Sequence, residues 1–431
     1  MNYESVRIHP NIASIVLAGG KGTRLYPLTL KHSKPAVSFG GRYKLIDIPI
    51  SNSLNSNIRQ ITVIAQYLTT EIAHHLNQTY QFDNFFPGSL DLITPEERPN
   101  GEKIFFEGTA DAIRKNINKF ANLPVDYFLI LSGDQLYNID FQKMYDFARE
   151  KNADLTIAAL PVNEEDAKRL GLLKINSASY IIDFFEKPQT KELLDQYKLP
   201  SDFYNNQNFE NKKSHLGSMG IYIFKRDALF SLLKEDSRED FGKHLIPTQL
   251  KKGRAAAFLY NGYWEDIGTI KSFYDANISL TNSSCKLKTY DEINPIYTRA
   301  HHLPGAKIKN TKIEDSIICE GSIIEAEMIS KSMIGLRSKI HQGSIIKDSI
   351  LLGNSAYSSS IHHKCVLPDV FEIGKNCEIY KTIIDENVKI GNNVKLINKN
   401  NLSNYDGENI YVRDNIIIIT AGANIKDGFE F

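Results

Sequence analysis

The feature that most constrains the fold is a six-residue repeat of large aliphatic side chains in the second half of the chain. Two series keep this spacing, namely Met328, Ile334, Ile340, Ile346 and Leu352, and Ile317, Ile323 and Ile329. Glycine, asparagine, serine and aspartate lie between the aliphatic positions. A hexapeptide period with one apolar residue per turn predicts a parallel β-helix, in which each face of a coil contributes one inward side chain. A β-sandwich with evenly spaced strands is the alternative.

The first part of the chain follows a different pattern. From Ile12 to about Leu280, apolar runs alternate with amphipathic stretches, which indicates a mainly parallel α/β sheet flanked by helices. Strands are predicted at residues 12–18, 61–65, 127–131, 155–160 and 180–185, and a helix at 109–120.

The change of pattern near residue 300 predicts the domain organisation. We expect a first domain over residues 11–285, a linker over 286–299 and a β-helix domain over 300–431. Residues 353–371 interrupt the six-residue period and are predicted to form a loop extruded from the coil.

The charge balance argues against two classes of partner. Lys plus Arg and Asp plus Glu both number 51, so no general field draws the chain to nucleic acid or to a membrane surface. Apolar runs are far shorter than the roughly 20 residues of a spanning helix, and no signal or transit peptide is recognisable. Four cysteines without C-x-x-C spacing argue against a disulfide scaffold or a zinc site. We therefore expect a cytoplasmic protein.

A glycine-rich turn at residues 19–23 follows the first predicted strand. Such a turn exposes backbone N–H groups that can cradle phosphate oxygens. It is not a Walker A loop, because the chain has no G-x-x-x-x-G-K-[ST] motif. It is not a dinucleotide fingerprint either, because Leu25 stands where the third glycine of that fingerprint belongs. Arg24 and Lys34 add positive charge at the same end of the sheet. The turn predicts a phosphate site, with a ligand-free strand-to-helix turn as the alternative.

Two aspartates are candidates for binding a metal. Asp134 comes just past the strand predicted at 127–131, where open α/β sheets place their ligand chemistry, and Asp266 follows the only tryptophan, Trp264. Magnesium is usually held by one or two carboxylates together with substrate phosphates. The pair predicts a Mg²⁺ site, and Lys187 is a candidate for holding a second phosphate. The alternatives are turn or capping aspartates and a solvated loop lysine.

The remaining polar residues suggest no competing chemistry. The histidine pairs at 74–75, 301–302 and 362–363 lack partners at metal-ligand spacing. No Ser/His/Asp or Cys/His arrangement stands in a suggestive context.

Short segments in a fixed order carry a resemblance to one enzyme family. They are LAGGKGTRLYPLT, KPAV, LIDIPISN, IAQY, GTADA, SGDQLY, EKP, GSMGIY, YWEDIGT, PIYT, IGKN and NVKLINK. Over nearly its whole length the chain resembles ADP-glucose pyrophosphorylase, or glucose-1-phosphate adenylyltransferase, and more closely the cyanobacterial and plant branch than the enteric bacterial one. The resemblance implies a Rossmann-like nucleotidyltransferase domain with a mainly parallel sheet, followed by a C-terminal left-handed parallel β-helix.

The resemblance also implies a reaction and a site. The reaction converts ATP and glucose 1-phosphate, with Mg²⁺, into ADP-glucose and pyrophosphate for glycogen or starch synthesis. The implied ATP contacts are Leu17, Gly19, Gly20, Gly22, Thr23, Arg24, Gln66, Gly108 and Thr109. The implied catalytic residues are Arg24, Lys34 and Asp134, and the implied metal ligands are Asp134 and Asp266. Glucose 1-phosphate would be held by Gly171, Glu186, Lys187 and Ser218.

Assembly and regulation are implied as well. Relatives form tetramers, so a homotetramer or hetero-oligomer is expected, and they bind an anionic effector between the two domains. Candidate cations for that site are Lys31, Arg42, Lys44, Lys395 and Arg413. The chain departs from the family where His32 replaces an arginine and Ala421 replaces an effector-binding lysine. Because a histidine is expected to be mostly neutral at pH 7, weak activation that improves below about pH 6.5 is predicted.

Two other functions stay open from the sequence. One is a pyrophosphorylase that makes another product, such as dTDP-glucose, UDP-N-acetylglucosamine or GDP-mannose. The other is a catalytically silent regulatory subunit. The joint presence of Arg24, Lys34, Asp134, Lys187 and Asp266 argues for catalysis.

Overall fold

The computed structural model describes residues 11–83, 88–96, 105–200, 213–357 and 371–431. Most of the loop predicted at 353–371, with the histidine pair at 362–363, lies outside these residues. Within the described ranges, no helix is both long and apolar enough to cross a membrane.

The strands of the first half are numbered in chain order. They are β1 (Ile12–Ala18), β2 (Ser38–Phe39), β3 (Tyr43–Lys44), β4 (Gln60–Ala65), β5 (Ser89–Ile93), β6 (Tyr127–Ser132), β7 (Gln135–Tyr137), β8 (Leu155–Val162), β9 (Gly171–Ile175), β10 (Ile181–Glu186), β11 (His215–Lys225), β12 (Ala255–Leu259) and β13 (Trp264–Asp266).

Helices lie between these strands. The α-helices are α1 (Asp47–Asn55), α2 (Thr69–Thr79), α3 (Thr109–Arg114), α4 (Ile117–Ala121), α5 (Phe141–Glu150), α6 (Glu164–Ala167), α7 (Lys191–Gln196), α8 (Arg226–Glu235), α9 (Ile246–Lys252) and α10 (Ile270–Ser279). Short 3₁₀ helices span Thr23–Leu25, Leu28–Leu30 and Lys34–Ala36, and a π-helix spans Phe241–Leu245.

A nine-stranded sheet organises the first half. Its main path runs β10-β9-β11-β6-β1-β4-β5, with β8 beside β11 and β12 beside β8. β1 pairs in parallel with β4 and β6, β4 with β5, and β8 with β12. β11 pairs antiparallel with β6, β8 and β9, and β9 with β10. The predicted α/β class is confirmed, and the sheet is parallel around β1, where the glycine-rich turn leaves it.

The predicted strands are found, and the helix predicted at 109–120 is found as two shorter helices with a break between them. α3 ends at Arg114 and α4 begins at Ile117. Asn116 lies at the break, where its side-chain Nδ2 donates to the carbonyl of Ala112 at 2.9 Å. Its backbone N–H donates to Ile113 at 3.1 Å, which is the tighter i→i−3 pattern. Asparagine competes with helical hydrogen bonding in this way, so the helix is interrupted.

The second half is built from short strands. They are β14 (Lys307–Ile308), β15 (Lys312–Glu314), β16 (Ile317–Ile318), β17 (Ile323–Ile324), β18 (Met328–Ser330), β19 (Met333–Ile334), β20 (Lys339–Ile340), β21 (Ile345–Lys347), β22 (Ile350–Leu351), β23 (Glu378–Tyr380), β24 (Thr382–Ile384), β25 (Lys389–Ile390), β26 (Lys395–Leu396), β27 (Asn404–Asp406), β28 (Ile410–Arg413), β29 (Ile416–Ile419) and β30 (Asn424–Ile425).

These strands stack into three sides of a coil. Parallel ladders join β14, β17 and β20, then β15, β18, β21, β23 and β26, and then β16, β19, β22, β24 and β29. An antiparallel hairpin, β27 and β28, extends the third ladder beside β29. The predicted parallel β-helix is confirmed.

The inward positions of the coil differ in part from the prediction. Ile324, Ile329, Ile334, Ile340 and Ile346 are buried in one core. Ile323 was expected to point inward but is 41% exposed, because side chains alternate along a strand and Ile324 takes the inward position of β17. The inward spacing is five residues from Ile324 to Ile334 and six from Ile334 to Ile346, so a strict six-residue series selects the wrong side chain in the early coils.

A shared apolar core joins the two halves. Met333, Ile350 and Ile418 of the β-helix belong to the same buried cluster as Phe39 and Leu280 of the first half. Burial of such side chains contributes roughly 1.5–3 kcal/mol each. The β-helix therefore packs firmly against the sheet-containing half.

Candidate active site

A cavity of about 600 Å³ opens at the carboxyl ends of β1, β4 and β6. Ten of the predicted site residues line it, namely Leu17, Gly19, Gly20, Lys34, Gln66, Gly108, Thr109, Asp134, Glu186 and Lys187. A second cavity of about 140 Å³ is lined by Arg24 and Asp266. The structure thus brings together residues that lie as much as 170 positions apart, between Leu17 and Lys187.

The glycine-rich turn after β1 holds the stem of Lys34. Gly22 has a φ of 65°, and a Cβ atom there would lie 2.9 Å from both the Cβ of Lys34 and the Cγ2 of Thr29. The Thr29 hydroxyl donates to the Gly22 carbonyl at 3.0 Å. Only glycine combines this left-handed conformation with so close an approach. Gly22 and Thr23, predicted to bind ATP, belong to this turn but are not among the described residues that line the cavity.

Lys34 and Asp134 form a partly buried ion pair in the lining of the cavity. Lys34 begins a 3₁₀ helix, and its Nζ donates a hydrogen bond to Oδ2 of Asp134. The Ser132 hydroxyl donates to Oδ1 of the same carboxylate. Burial acts to raise the pKa of Asp134, but Lys34, Ser132 and Arg24 outweigh it and lower that pKa. Asp134 is therefore a carboxylate at neutral pH.

Asp266 lies next to this pair. β13 runs antiparallel to β7 with Asp266 opposite Gln135, and the N–H of Ile267 donates to the Asp134 carbonyl at 3.2 Å. Burial and the charge of Asp134 raise the pKa of Asp266. Arg24 is also close to this segment: a Cβ atom placed on Gly268 would lie 3.5 Å from the guanidinium nitrogens of Arg24.

The carboxylate pair has the chemistry of a magnesium site. The repulsion that raises the pKa of Asp266 is what a divalent cation between two carboxylates relieves. Over the described ranges, no group of three or more His, Cys, Asp or Glu side chains is arranged to hold a metal ion. A metal at Asp134 and Asp266 would therefore take its remaining ligands from substrate phosphates and water.

Glu186 and Lys187 lie at the opposite side of the cavity. Lys187 follows β10 with a φ of 50°, and its Nζ lies 3.3 Å from Oε1 of Glu186. A Cβ atom on Gly171 or on Gly242 would lie 2.7 Å from Oε2 of Glu186, so the carboxylate sits in a slot between two glycines. Burial raises the pKa of Glu186, and Lys187 counteracts part of that rise.

Gln66 connects two walls of the cavity. Its Nε2 donates to the carbonyls of Gly19 at 2.9 Å and Phe106 at 3.2 Å, and its Oε1 accepts from the N–H of Phe106 at 2.8 Å. The amide group therefore ties the glycine-rich turn to the segment before α3.

Ser218, predicted to bind the sugar phosphate, is 5% exposed and is not among the described residues that line the cavity. Its hydroxyl accepts from the N–H of Gly220 at 3.2 Å.

Several residues that line the cavity were not predicted from the sequence. They are Gln135, Gly220, Tyr222, Asp240, Phe241 and Gly242. The last three lie at the π-helix, whose Phe241 N–H donates to the Thr109 hydroxyl at 3.3 Å. The only local signal was the helix-capping Asp240, which accepts from the N–H of Lys243 at 2.9 Å. A cap predicts where a helix begins and says nothing of the distant loop it contacts.

The five candidate effector cations are not gathered into one site. A cleft of about 380 Å³ between the two halves is lined by Lys31 but, in the described part of the chain, by none of the other four. Their partners are internal: Lys31 with the Ala421 carbonyl, Arg42 with Glu320, Lys44 with Glu71 and Glu386, Lys395 with Glu378, and Arg413 with Asp406. In the described part of the chain the five cations do not converge, since four of them pair with carboxylates and Lys31 with a backbone carbonyl, and their role in effector binding stays a prediction.

His32 also differs from the expectation. Burial acts to lower its pKa, but Asp385 and Glu71 outweigh burial and raise the pKa of His32 to about 10. His32 is therefore protonated at pH 7, and the predicted gain of charge below pH 6.5 does not apply.

Comparison with families of known proteins gives two matches. Residues 13–283 match the model of the Nucleotidyl transferase family. The chain belongs to this family. Residues 301–429 of this nucleotidyl transferase match the GLGC left-handed parallel beta-helix domain. The two matches in this order are the architecture of ADP-glucose pyrophosphorylase, which the sequence resemblance implied.

Proposed function

We propose that this nucleotidyl transferase joins ATP and glucose 1-phosphate, giving ADP-glucose and pyrophosphate for glycogen or starch synthesis. The observation that supports it best is the convergence of Lys34, Asp134, Glu186 and Lys187 on one cavity. The cavity has a cation on each side, which suits two phosphate-bearing substrates, and the β-helix is of the GLGC type.

The reaction needs alignment more than proton transfer. An oxygen of the sugar phosphate forms a bond to the α-phosphorus of ATP, while the bond from that phosphorus to the oxygen bridging to the β-phosphate breaks. The attacking oxygen is already anionic, so positioning and charge neutralisation replace a general base. The described lining of the cavity contains Lys and Asp side chains but no histidine, in keeping with this chemistry.

Each side chain then has a role. Arg24 and Lys34 would bind the triphosphate beside the turn at Gly19–Gly20, and adenine would lie near Gln66 and Gly108–Thr109. Lys187 would hold the phosphate of the sugar, and Glu186 would accept hydrogen bonds from its hydroxyls. Mg²⁺ held by Asp134 and Asp266 would supply charge that neutralises the reacting phosphates.

A substrate matrix tests the proposal. Purified full-length protein is assayed for pyrophosphate release with Mg²⁺, using ATP, UTP, GTP or dTTP against the 1-phosphates of glucose, N-acetylglucosamine or mannose. ATP with glucose 1-phosphate is expected to exceed every other pair in kcat/KM by about tenfold or more. A higher value for another pair would identify a different pyrophosphorylase. No release with any pair would indicate a regulatory subunit.

A further inference from the structure

One wall of the cavity, between the glycine-rich turn and α3, faces the proposed position of adenine and is here called the Gln66 wall. Its residues are Gln66, Tyr67, Phe106, Glu107 and Gly108, which all line the cavity. A site strongly rejects a ligand that leaves its polar groups unpaired or faces acceptor with acceptor. The hydrogen-bonding groups that this wall leaves free therefore decide which nucleobase fits best.

The amide of Gln66 has no hydrogen left to donate. Its Nε2 carries two hydrogens, which go to the carbonyls of Gly19 at 2.9 Å and Phe106 at 3.2 Å. The Phe106 N–H, 2.8 Å away, can only donate, so Oε1 must face it and the orientation of the amide is fixed. Oε1 keeps one further lone pair. Gln66 can therefore accept a hydrogen bond from a nucleobase but cannot donate one.

Glu107 adds a second free acceptor to the wall. Its backbone N–H donates to Oδ2 of Asp111 at 2.9 Å, and Lys115 Nζ holds the same carboxylate at 2.8 Å, so the backbone of Glu107 is anchored. In the described part of the chain, no hydrogen bond or ion pair engages the Glu107 side chain. A carboxylate accepts hydrogen bonds and donates none. Glu107 therefore presents an unpaired acceptor from a fixed position in the lining.

The ammonium group of Lys21 is engaged elsewhere. Lys21 belongs to the glycine-rich turn, and its Nζ lies over the ring of Tyr67, 5.6 Å from the ring centroid, in a cation–π contact. The Tyr67 ring is stacked on that of Phe105 with centroids 6.1 Å apart. This lysine is thus placed on the triphosphate side of the wall, and it leaves the acceptors of Gln66 and Glu107 facing the base.

Nucleobases differ in the group that they would present to these acceptors. Adenine carries an amino group at position 6, which donates, whereas guanine has a carbonyl oxygen there and thymine and uracil have one at position 4. A carbonyl oxygen would face two acceptors with no proton between them. Such a mismatch is penalised more strongly than the loss of a few apolar contacts.

We propose that Glu107 determines the nucleobase specificity of this protein, by accepting a hydrogen bond from the amino group of adenine. Oε1 of Gln66 provides the second acceptor for the same group. The inference rests on the proposed function, because it places a nucleotide in this cavity, and it goes further by naming the residue that selects adenine.

The experiment compares ATP with inosine triphosphate, which has a carbonyl in place of the amino group and a proton on N1. The ratio of kcat/KM for the two nucleotides is measured with glucose 1-phosphate and Mg²⁺ on full-length protein. The variants are Glu107→Gln and a matched control, Glu165→Gln, which changes an exposed glutamate of α6.

The wild type is expected to prefer ATP over inosine triphosphate by about a hundredfold or more. Glu107→Gln should reduce that preference about tenfold, because its amide can rotate and donate to the carbonyl. Glu107→Lys, which presents only donors, should reduce the preference further, and Glu165→Gln should stay within about twofold of the wild type. A wild-type preference in Glu107→Gln, or an equal loss with both nucleotides, would overturn the proposal.

A second readout does not depend on turnover. In the absence of sugar phosphate, the Mg²⁺ complex of ATP should raise the Tm of the wild type more than that of inosine triphosphate does. The difference should shrink in Glu107→Gln and persist in Glu165→Gln. Equal shifts by the two nucleotides in the wild type would overturn the role of Glu107.

Failure of this inference is distinguishable from failure of the proposed function. A wild type that uses ATP with a sugar phosphate other than glucose 1-phosphate would remove the proposed function and support the role of Glu107 if the nucleotide ratio changes as expected. A wild type that joins ATP and glucose 1-phosphate, with an unchanged nucleotide ratio in Glu107→Gln, would remove only the role of Glu107.

Discussion

Lys34 and Asp134 are 100 residues apart in sequence, yet Nζ of the lysine donates directly to Oδ2 of the aspartate. The pair connects the loop after β1 with the turn after β6, two strands that are neighbours in the sheet. Its formation therefore depends on the parallel pairing of β1 and β6. Positive charge is thereby placed against a carboxylate at the carboxyl end of the sheet, where α/β proteins bind ligands.

Replacement of Asp134 by asparagine tests the importance of this charge. Asp134→Asn is expected to lower kcat by about a hundredfold or more, because one preorganised electrostatic group is removed. Folding should be preserved, as judged by circular dichroism and urea unfolding. The exposed Asp91 of β5 provides a control, and Asp91→Asn should keep wild-type turnover. Near-normal turnover of Asp134→Asn at saturating Mg²⁺ would refute the site assignment.

Lys187 is expected to act on one substrate only. Lys187→Ala should raise the KM for glucose 1-phosphate by about tenfold to a hundredfold, the cost of one charge-assisted hydrogen bond. The KM for ATP should change much less. Lys174→Ala, which removes a lysine placed over the Tyr197 ring, serves as the control. Equal increases in both constants for Lys187→Ala would show that Lys187 does not select the sugar phosphate.

The part of the site that follows β1 and β6 was predictable, because the sequence patterns that indicate it are local. The apolar run of β1 and the glycine turn after it lie within a few residues of each other, and Asp134 directly follows β6. Phe241 and Gly242 were not predictable, because their place at the cavity depends on tertiary contacts such as that of Phe241 with Thr109, the first residue of α3, some 130 residues away. Side-chain periodicity carries no information about such contacts.

The pairing of charged side chains is also hard to predict from the sequence. Lys44 appeared to be a free cation, whereas Glu386, 342 residues further along the chain, lies 2.9 Å from its Nζ. The burial and partners of a lysine are set by tertiary packing, so composition cannot separate an anion-binding lysine from one that is already paired.

The shared apolar core predicts that the first half needs the β-helix for its stability. A fragment ending at residue 299 loses Met333, Ile350 and Ile418 from the cluster that contains Phe39 and Leu280. Each buried side chain of this kind contributes roughly 1.5–3 kcal/mol. The fragment is expected to aggregate, or to melt at least about 10 °C below the full-length protein. A monodisperse fragment with full-length thermal stability and activity would contradict the shared core.

The raised pKa of His32 predicts a pH-dependent contribution to stability. The pKa is about 10 in the folded protein against an ordinary value of 6.5, so the contribution is complete below pH 6.5 and is lost as the pH rises to 10. At pH 6 the difference in unfolding free energy between wild type and His32→Gln should be on the order of 3 kcal/mol. That difference should shrink steadily toward pH 10, whereas the exposed His74→Gln should show no such trend. A difference in unfolding free energy that stays constant with pH would mean that His32 is not charged beside Glu71 and Asp385.

Identification of the products tests directly whether this protein joins ATP and glucose 1-phosphate. Full-length protein, Mg²⁺, ATP and glucose 1-phosphate are incubated, and nucleotide sugar and pyrophosphate are quantified by chromatography and mass spectrometry. ADP-glucose and pyrophosphate are expected in equal amounts, and Asp134→Asn is expected to form almost none of either. Absence of ADP-glucose from the wild-type reaction, or its undiminished formation by Asp134→Asn, would contradict the proposed function.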